Sequence, residues 1–351
     1  MTVNIKRLVY FENWVDPIAI KLLGERPDID LVRLEYATDE ATNWTEIGGA
    51  HGYQIAPRTE LKKPWFADAD LLARCPNLLA VSSTGAGFDT IDVDACTRAG
   101  VIVCNQSGTN KEPVAEHALG FMIVLSKRMT ISGNAMRSAS GLARFDHVGN
   151  DLVGKTVGIV GLGKIGTRVA ELCGALFGMT LLAYDPYLTA QQIKARGAVK
   201  VELGELLRRA DFVSVHCPRN SETFGMFGRD QFRLMKPTAF FINTARGGIH
   251  DEPGLVEALE SRLIAGAGVD VFLDEPPAPD HPLLKFDNVI ATPHVAGITA
   301  EALRAMAVGA AEQWMAIFDG ALPPRLVNPE AWPRYAPRFE SLFGFRPAMP
   351  E

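Results

Sequence analysis

The sequence predicts an α/β protein built as two doubly wound parallel-sheet domains, and two observations carry that reading. Short runs rich in Val, Ile, Leu and Phe alternate with helical patterns along almost the whole chain, which is the signature of βαβ units. The runs are apolar at nearly every position, as strands covered on both faces must be. The alternation comes in two series, and 351 residues are more than one hydrophobic core usually serves, so two domains are expected.

The first series opens with KRLVYFE (6–12) as a strand, then DPIAIKLLG as a helix and DLVRLEYA (30–37) as a second strand. Residues 40–65 are polar and carry Gly48-Gly49, Pro57 and Pro64, so they read mostly as loops. NLLAVSST (77–84) and GVIVCNQ (100–106) are strands around a helix near 92–99, and AEHALGFMIVLSKRM (115–129) is one long helix. The second series has six strands: KTVGIVG (155–161), TLLAYD (180–185), DFVSVHC (211–217), AFFINTA (239–245), AGAGVDVF (265–272) and NVIATPH (288–294). A last helix at about 299–319 precedes a tail rich in proline and aromatics, which reads as a surface wrap with few helical signals.

Composition narrows the function. Apolar residues are 47% and charged residues 22%, a globular balance, and 35 basic against 41 acidic residues give a net charge of −6. No dense Lys/Arg block is present, so nucleic acid and anionic membranes are poor partners. The longest strongly apolar run, ALGFMIVL (118–125), is too short to span a bilayer, and the N-terminus lacks the apolar core of a signal peptide. Five widely spaced cysteines without C-x-x-C argue against a disulfide framework and a zinc site, and a reducing cytoplasm fits them.

TVGIVGLGKIGTRVAEL (156–172) holds G-x-G-x-x-G as Gly161, Gly163 and Gly166. Alone this match is weak. Here a strand precedes it, a helix follows, and Asp185 stands 19 residues past Gly166 at the end of the next strand, which completes a dinucleotide-binding fingerprint. Gly161 permits the turn, Gly163 admits a pyrophosphate to the backbone, and Gly166 allows close helix packing. Lys164 and Ile165 open a helix whose free N–H groups face phosphate. Asp185 would accept from ribose hydroxyls and repel a 2′-phosphate, so NAD is expected rather than NADP. A nucleotide in such a sheet lies across the carboxyl ends of the strands, which directs attention to His216-Cys217-Pro218, Thr244-Ala245-Arg246, Asp270 and Thr292-Pro293-His294.

FFINTARGGIH (240–250) sets a permanent charge, Arg246, at the mouth of a buried strand and follows it with two glycines. That is either a solvated loop arginine or a trap for an anion. Hydride chemistry on an alcohol needs a proton carrier beside such a cation, and histidine is the usual one near neutral pH. Of seven histidines, His51, His147, His250 and His281 sit in polar, loop-like contexts and His117 lies in a helix. His216 and His294 both stand at strand ends. Pro293 and Gly297 favour His294 slightly, and the residues alone leave the choice open.

Several segments together resemble the D-isomer-specific 2-hydroxyacid dehydrogenases, the group of phosphoglycerate, glycerate/hydroxypyruvate, lactate and formate dehydrogenases. They are STGAGFDTID (83–92), VAEHALG (114–120), GIVGLGKIG (158–166), HCPRNSET (216–223), INTARGG (242–248), GVDVFLDEPP (268–277) and TPHVAG (292–297), in the family's order over nearly the whole chain. The resemblance implies a Rossmann NAD-binding domain (109–299) inserted into a flavodoxin-like, discontinuous substrate domain (1–108 and 300–351), with catalysis in the cleft and closure about two hinges. It implies a catalytic set of Arg246, Glu275 and His294. His294 would exchange the substrate proton, Glu275 would hold its other ring nitrogen, and Arg246 would grip the substrate's carboxylate and carbonyl. Backbone N–H groups around Ser83, Thr84 and Gly85 would bind the same carboxylate. Asp270 would face the nicotinamide carboxamide, and Thr223 and Gly297 would join the strand-end residues as cofactor contacts.

The expected activity is therefore NAD-dependent interconversion of a small D-2-hydroxy acid and its 2-keto acid, of the hydroxypyruvate or glyoxylate type. D-3-phosphoglycerate dehydrogenase is the alternative within the class, and an NADH-sensing corepressor-like binding protein is the alternative outside it. Glu275 argues against the formate branch, where glutamine is typical. Ser83 stands where phosphoglycerate dehydrogenases often carry arginine, and the chain stops soon after the 299–319 helix, which leaves no regulatory domain; both disfavour a phosphorylated substrate. A homodimer joined through 121–147 is expected. Lys111-Glu112-Pro113 departs from the small, hydroxyl-rich stretch of relatives and has no assigned role.

Overall fold

The computed structural model describes residues 4–138 and 143–349. The chain divides into two compact units: one runs to Asn110 and resumes at Ile298, and the other is Lys111–Gly297.

The first unit begins β1 (Lys6–Phe11), α1 (Ile18–Gly24), β2 (Ile29–Leu34), α2 (Glu40–Gly48), β3 (Gly52–Ile55), α3 (Ala69–Arg74), β4 (Ala80–Ser83), α4 (Val93–Ala99) and β5 (Ile102–Cys104). Its five parallel strands lie in the order β2-β1-β3-β4-β5, the flavodoxin-like winding. The segment 40–65, expected to be loop, instead supplies α2 and the central strand β3. Asp39 caps α2 by accepting from Thr42 N at 2.9 Å, and Gly48-Gly49 marks its end. β3 is buried along its length, and a Cβ at Gly52 would lie 2.5 Å from the Trp314 ring. A four-residue strand with one glycine and one glutamine carries too little apolar signal to be seen from sequence.

The second unit runs α5 (Lys111–Ser126), α6 (Met129–Ser138), β6 (Thr156–Val160), α7 (Lys164–Phe177), β7 (Thr180–Tyr184), α8 (Ala190–Ala195), β8 (Val199–Lys200), α9 (Leu203–Arg209), β9 (Phe212–Val215), α10 (Arg229–Leu234), β10 (Phe240–Asn243), α11 (Glu252–Glu260), β11 (Gly266–Val269) and β12 (Val289–Ala291). The sheet order is β12-β11-β10-β9-β6-β7-β8, all parallel, the Rossmann winding with a seventh strand at the edge. The helix expected at 115–129 starts earlier, at Lys111, and stops at Ser126. Arg128 takes a left-handed φ of +52°, and the chain restarts as α6. Two buried clusters cover the two faces of this sheet.

The chain then returns to the first unit as α12 (Ala300–Phe318) and α13 (Trp332–Phe343). The tail expected to be a wrap is thus partly a helix. Its apolar residues Trp332, Tyr335, Phe339 and Phe343 recur at helical spacing and are buried in the same cluster as Trp314 of α12. Prolines hide it: one falls in the first turn, where no N–H is needed, and Pro337 is tolerated one turn in. Arg338 then satisfies the end of α4, donating to Ala99 O at 3.0 Å and Gly100 O at 2.9 Å. Among the described residues no helix is long and apolar enough to cross a membrane.

Candidate active site

β10, β11 and β12 are parallel neighbours, so their carboxyl ends open at one edge of the second unit's sheet. The loops leaving them carry Arg246, Glu275 and His294 in turn. His294 Nδ1 lies 2.8 Å from Glu275 Oε2. An ionised carboxylate only accepts, so Nδ1 holds the proton of that bond and Nε2 is the ring nitrogen turned away from Glu275. Glu275 Oε1 accepts from Phe272 N at 3.0 Å. Burial alone would raise the Glu275 carboxyl, but the His294 hydrogen bond and charge, Phe272 N–H and the Arg246 guanidinium outweigh it and hold it below its ordinary value. Arg246 also donates to Ala245 O at 2.7 Å.

The loops around these groups are tightly specified. At Gly247 a Cβ would come within 1.8 Å of Phe272 O, so only glycine lets the Arg246 loop lie against the strand that leads to Glu275. Asn243 ties the Arg246 loop together: its Oδ1 accepts from Ala245 N at 2.9 Å, and its Nδ2 donates to Arg246 O at 3.1 Å and to His250 Nδ1 at 2.9 Å. His250, expected to be a loop histidine, is buried here, and burial pushes its imidazole down to about 4. Glu252 braces the Glu275 loop by accepting from Leu273 N at 2.7 Å, and it pairs with His281 Nε2 at 3.2 Å.

His294 has a left-handed φ of +56°, a conformation that costs a non-glycine residue on the order of 1–3 kcal/mol. Asp270 holds it there. Its backbone carbonyl accepts from His294 N at 2.7 Å. Its carboxylate accepts from Thr292 Oγ1 at 2.6 Å, Val295 N at 2.8 Å and Ala296 N at 2.9 Å. The side chain is 0% exposed. The Asp270 carboxylate is thus engaged by the His294 turn.

His216 has different surroundings from His294. The Nδ1 of His216 is enclosed without a partner and its Nε2 lies 2.8 Å from Ser214 Oγ. Burial pushes this imidazole down to about 3, so it does not carry a proton near neutral pH.

The nucleotide loop lies in the same unit. Gly161 adopts φ +89°, and a Cβ at Gly166 would sit 2.1 Å from Gly161 O, while Gly163 has open space beside it. Gly163 is the N-cap of α7 and brings no side chain to it, so the positive end of the helix dipole faces the space that Gly163 leaves open. Asp185 accepts from Leu162 N at 3.0 Å and Tyr187 N at 3.1 Å, so it anchors the glycine loop. Cys217 backs Gly161: its N would lie 2.7 Å from a Cβ there. Thr223 Oγ1 donates to Pro218 O at 2.7 Å and shapes the 218–223 loop. Thr244 Oγ1 is buried without a partner. An open anion cradle and orphaned polar atoms at His216 and Thr244, on neighbouring strand ends, fit a dinucleotide. Glu112 bonds Arg168 of α7 at 2.7 Å, and Lys111 lies 3.8 Å from Glu112, so this stretch ties α5 to the nucleotide helix.

The Ser83–Gly85 loop belongs to the first unit. Both donors of Thr84, N–H and hydroxyl, end on Ile55 O, at 3.1 and 3.0 Å, so Thr84 has none for a carboxylate, contrary to expectation. Ser83 Oγ donates to Gly87 O at 2.5 Å, and Gly85 N makes only a long 3.4 Å bond to Ser83 Oγ.

Residues 119–296 match the family model of the D-isomer-specific 2-hydroxyacid dehydrogenase NAD-binding domain. The chain is 40% identical over 269 residues to a glyoxylate reductase of Aeropyrum pernix, covering 75% of this chain and 80% of that protein. It is 40% identical over 235 residues to a D-3-phosphoglycerate dehydrogenase of Archaeoglobus fulgidus, covering 67% of this chain but only 44% of that longer protein. Among solved structures, D-lactate dehydrogenase of Aquifex aeolicus complexed with NAD and lactic acid superposes with TM-score 0.77 at 28% identity, over 91% of this chain and 98% of that one. The chain belongs to the D-isomer-specific 2-hydroxyacid dehydrogenase family. NAD is the cofactor of the domain its second unit matches.

Because the folded Glu275 carboxyl titrates below its ordinary 4.5, it adds stability that is present above that pH and lost as pH falls through the lowered value. Urea unfolding of Glu275→Gln should therefore show a deficit at pH 7 that narrows below about pH 4.5. An equal deficit at both pH values would mean that the carboxylate's charge contributes nothing.

Proposed function

We propose that the chain is an NAD-dependent reductase of a small 2-keto acid, of the hydroxypyruvate or glyoxylate type, giving the D-2-hydroxy acid. The observation that carries this reading is the 2.8 Å contact of His294 Nδ1 with Glu275, with the Arg246 charge acting on the same carboxylate. Bound NADH supplies the hydride to the carbonyl carbon. The residues of the chain do the rest. Arg246 holds the substrate carboxylate and polarises the carbonyl with its planar fork. His294, charged before transfer, gives its Nε2 proton to the carbonyl oxygen and ends neutral with the proton on Nδ1. Glu275 keeps the ring in that tautomer and balances its charge. In oxidation the same nitrogen takes the proton back.

The cofactor contacts follow the glycine loop (Gly161, Gly163, Lys164, Ile165, Gly166), Asp185, the strand-end residues His216, Cys217, Pro218, Thr223, Thr244 and Ala245, and Gly297. The first unit, with Ser83 and Gly85, is the substrate domain in this reading. The A. pernix relative supports glyoxylate as a substrate, and the A. fulgidus relative keeps 3-phosphohydroxypyruvate as the second candidate. A panel of keto acids, including the phosphorylated one, assayed with NADH and NADPH tests the proposal. Turnover of glyoxylate or hydroxypyruvate with NADH is expected, with NADPH at least about tenfold poorer, a gap of some 1.4 kcal/mol. Preference for 3-phosphohydroxypyruvate would select the second reading, and NADH binding without any turnover would make the chain a sensor.

We infer further that the chain forms a homodimer through the second unit. α6 has no buried residue, and Met129, Met136, Phe145, Val148 and Val153 leave large apolar surface exposed around it. This is the expected 121–147 region and its flank; residues 139–142 lie outside the described residues. Met136→Glu with Phe145→Glu should sediment as a monomer, and an unchanged dimer would place the interface elsewhere. The five free cysteines, four of them buried, suit a cytoplasmic location. Recovery in a periplasmic or secreted fraction would exclude it.

A further inference from the structure

α5 lends the site a residue with no role so far. His117, on that helix, points Nε2 at Thr292 Oγ1 over 3.1 Å, and its ring packs edge-on against Phe121 with centroids 4.5 Å apart. Thr292 has one hydroxyl proton, and at 2.6 Å it is given to Asp270 Oδ1. The threonine oxygen is therefore the acceptor of the first bond, and His117 Nε2 is the donor. The chain of donors runs one way, from His117 through Thr292 to Asp270, and ends on the carboxylate that fixes residues 292–296. Asp270 Oδ1 also lies 4.0 Å from His117 Nε2. Without the Thr292 hydroxyl, that carboxylate is free to rotate away from Val295 N–H, and the turn loses one of its anchors. Phe121 in turn is seated on Gly268 of β11, where a Cβ would approach its ring to 2.7 Å, so α5 has little freedom to withdraw the histidine.

We propose that His117 and Thr292 are positioning residues that act through Asp270 to hold His294 in its left-handed, reactive orientation. The inference rests on the reading of His294 as the proton-transfer group. His294 must meet Glu275 with one nitrogen and substrate with the other, and a turn that relaxes to a right-handed φ re-aims both. The consequence falls on the chemical step, because neither side chain is needed to bind the nucleotide.

The test compares Thr292→Val, which keeps shape but not the hydroxyl, with Thr292→Ser, which keeps the hydroxyl. His117→Gln, which retains a donor, is compared with His117→Phe. Each variant is assayed for kcat and KM with the keto acid that the wild type turns over, and for NADH affinity by fluorescence titration without substrate. Thr292→Val should lose at least about tenfold in kcat while KM and NADH affinity stay within about twofold, and Thr292→Ser should recover most of the loss. His117→Phe should lose kcat in the same way and His117→Gln should lose less. Equal activity of the valine and serine variants overturns the proposal. So does a loss that appears in NADH affinity rather than kcat, since the network would then serve the nucleotide. Should Thr292→Val not fold, the His117 pair decides the question in its place: equal kcat of the phenylalanine and glutamine variants overturns the proposal. Near-normal turnover by His294→Ala, measured alongside, would sink the underlying reading instead of this one.

Discussion

The site depends on one hydrogen bond, His294 Nδ1 to Glu275 at 2.8 Å. A carboxylate offers no proton, so this contact decides which ring nitrogen is protonated, where Nε2 points and where the counter-charge lies. The bond joins two loops with no intrinsic reason to meet. The sheet brings them close by placing β11 and β12 side by side with their carboxyl ends at the same edge. The last ångströms come from local devices. Gly247 allows backbone contact with Phe272, Phe272 N–H fixes Glu275, and Asp270 stabilises a histidine in a conformation that such a residue rarely adopts.

Strain and buried charge support each other at this point. A left-handed histidine persists only where its surroundings over-determine it. The surroundings here are a carboxylate withdrawn from solvent, whose own desolvation is tolerable only because three donors of the same turn converge on it. Neither feature is stable without the other, so the His294 turn and Asp270 form one unit. The Arg246 loop has a parallel arrangement, with Asn243 taking the part of Asp270 and bonding both Ala245 N and Arg246 O.

Much of this is legible in the sequence. Six of the second unit's seven strands show as apolar runs, the two-residue β8 being the exception, and the glycine spacing with Asp185 announces the nucleotide loop. Arg246, Glu275 and His294 are reached together only through a family resemblance, because residues so distant in sequence show no mutual spacing. What stays hidden has physical causes. β3 is too short and too polar to register, and α13 is masked by prolines that fall where a helix tolerates them. The bonds by which Asp270 fixes the His294 turn are invisible in sequence, because Val295 N–H and Ala296 N–H reach it only through the folded backbone. Thr84 looks like a donor until Ile55 O takes both of its protons. His250 and His117 look idle because their partners, Asn243 and Thr292, are set by tertiary structure, and only the proximity of INTARGG to His250 hints at the first.

The most direct measurement is single-turnover oxidation of bound NADH by the keto acid, comparing wild type with His294→Ala. The variant should be slower by about 10²–10⁴-fold with NADH affinity retained, the usual contribution of a positioned acid. A variant that transfers hydride at near the wild-type rate would contradict the assignment of His294 and, with it, the role given to Glu275.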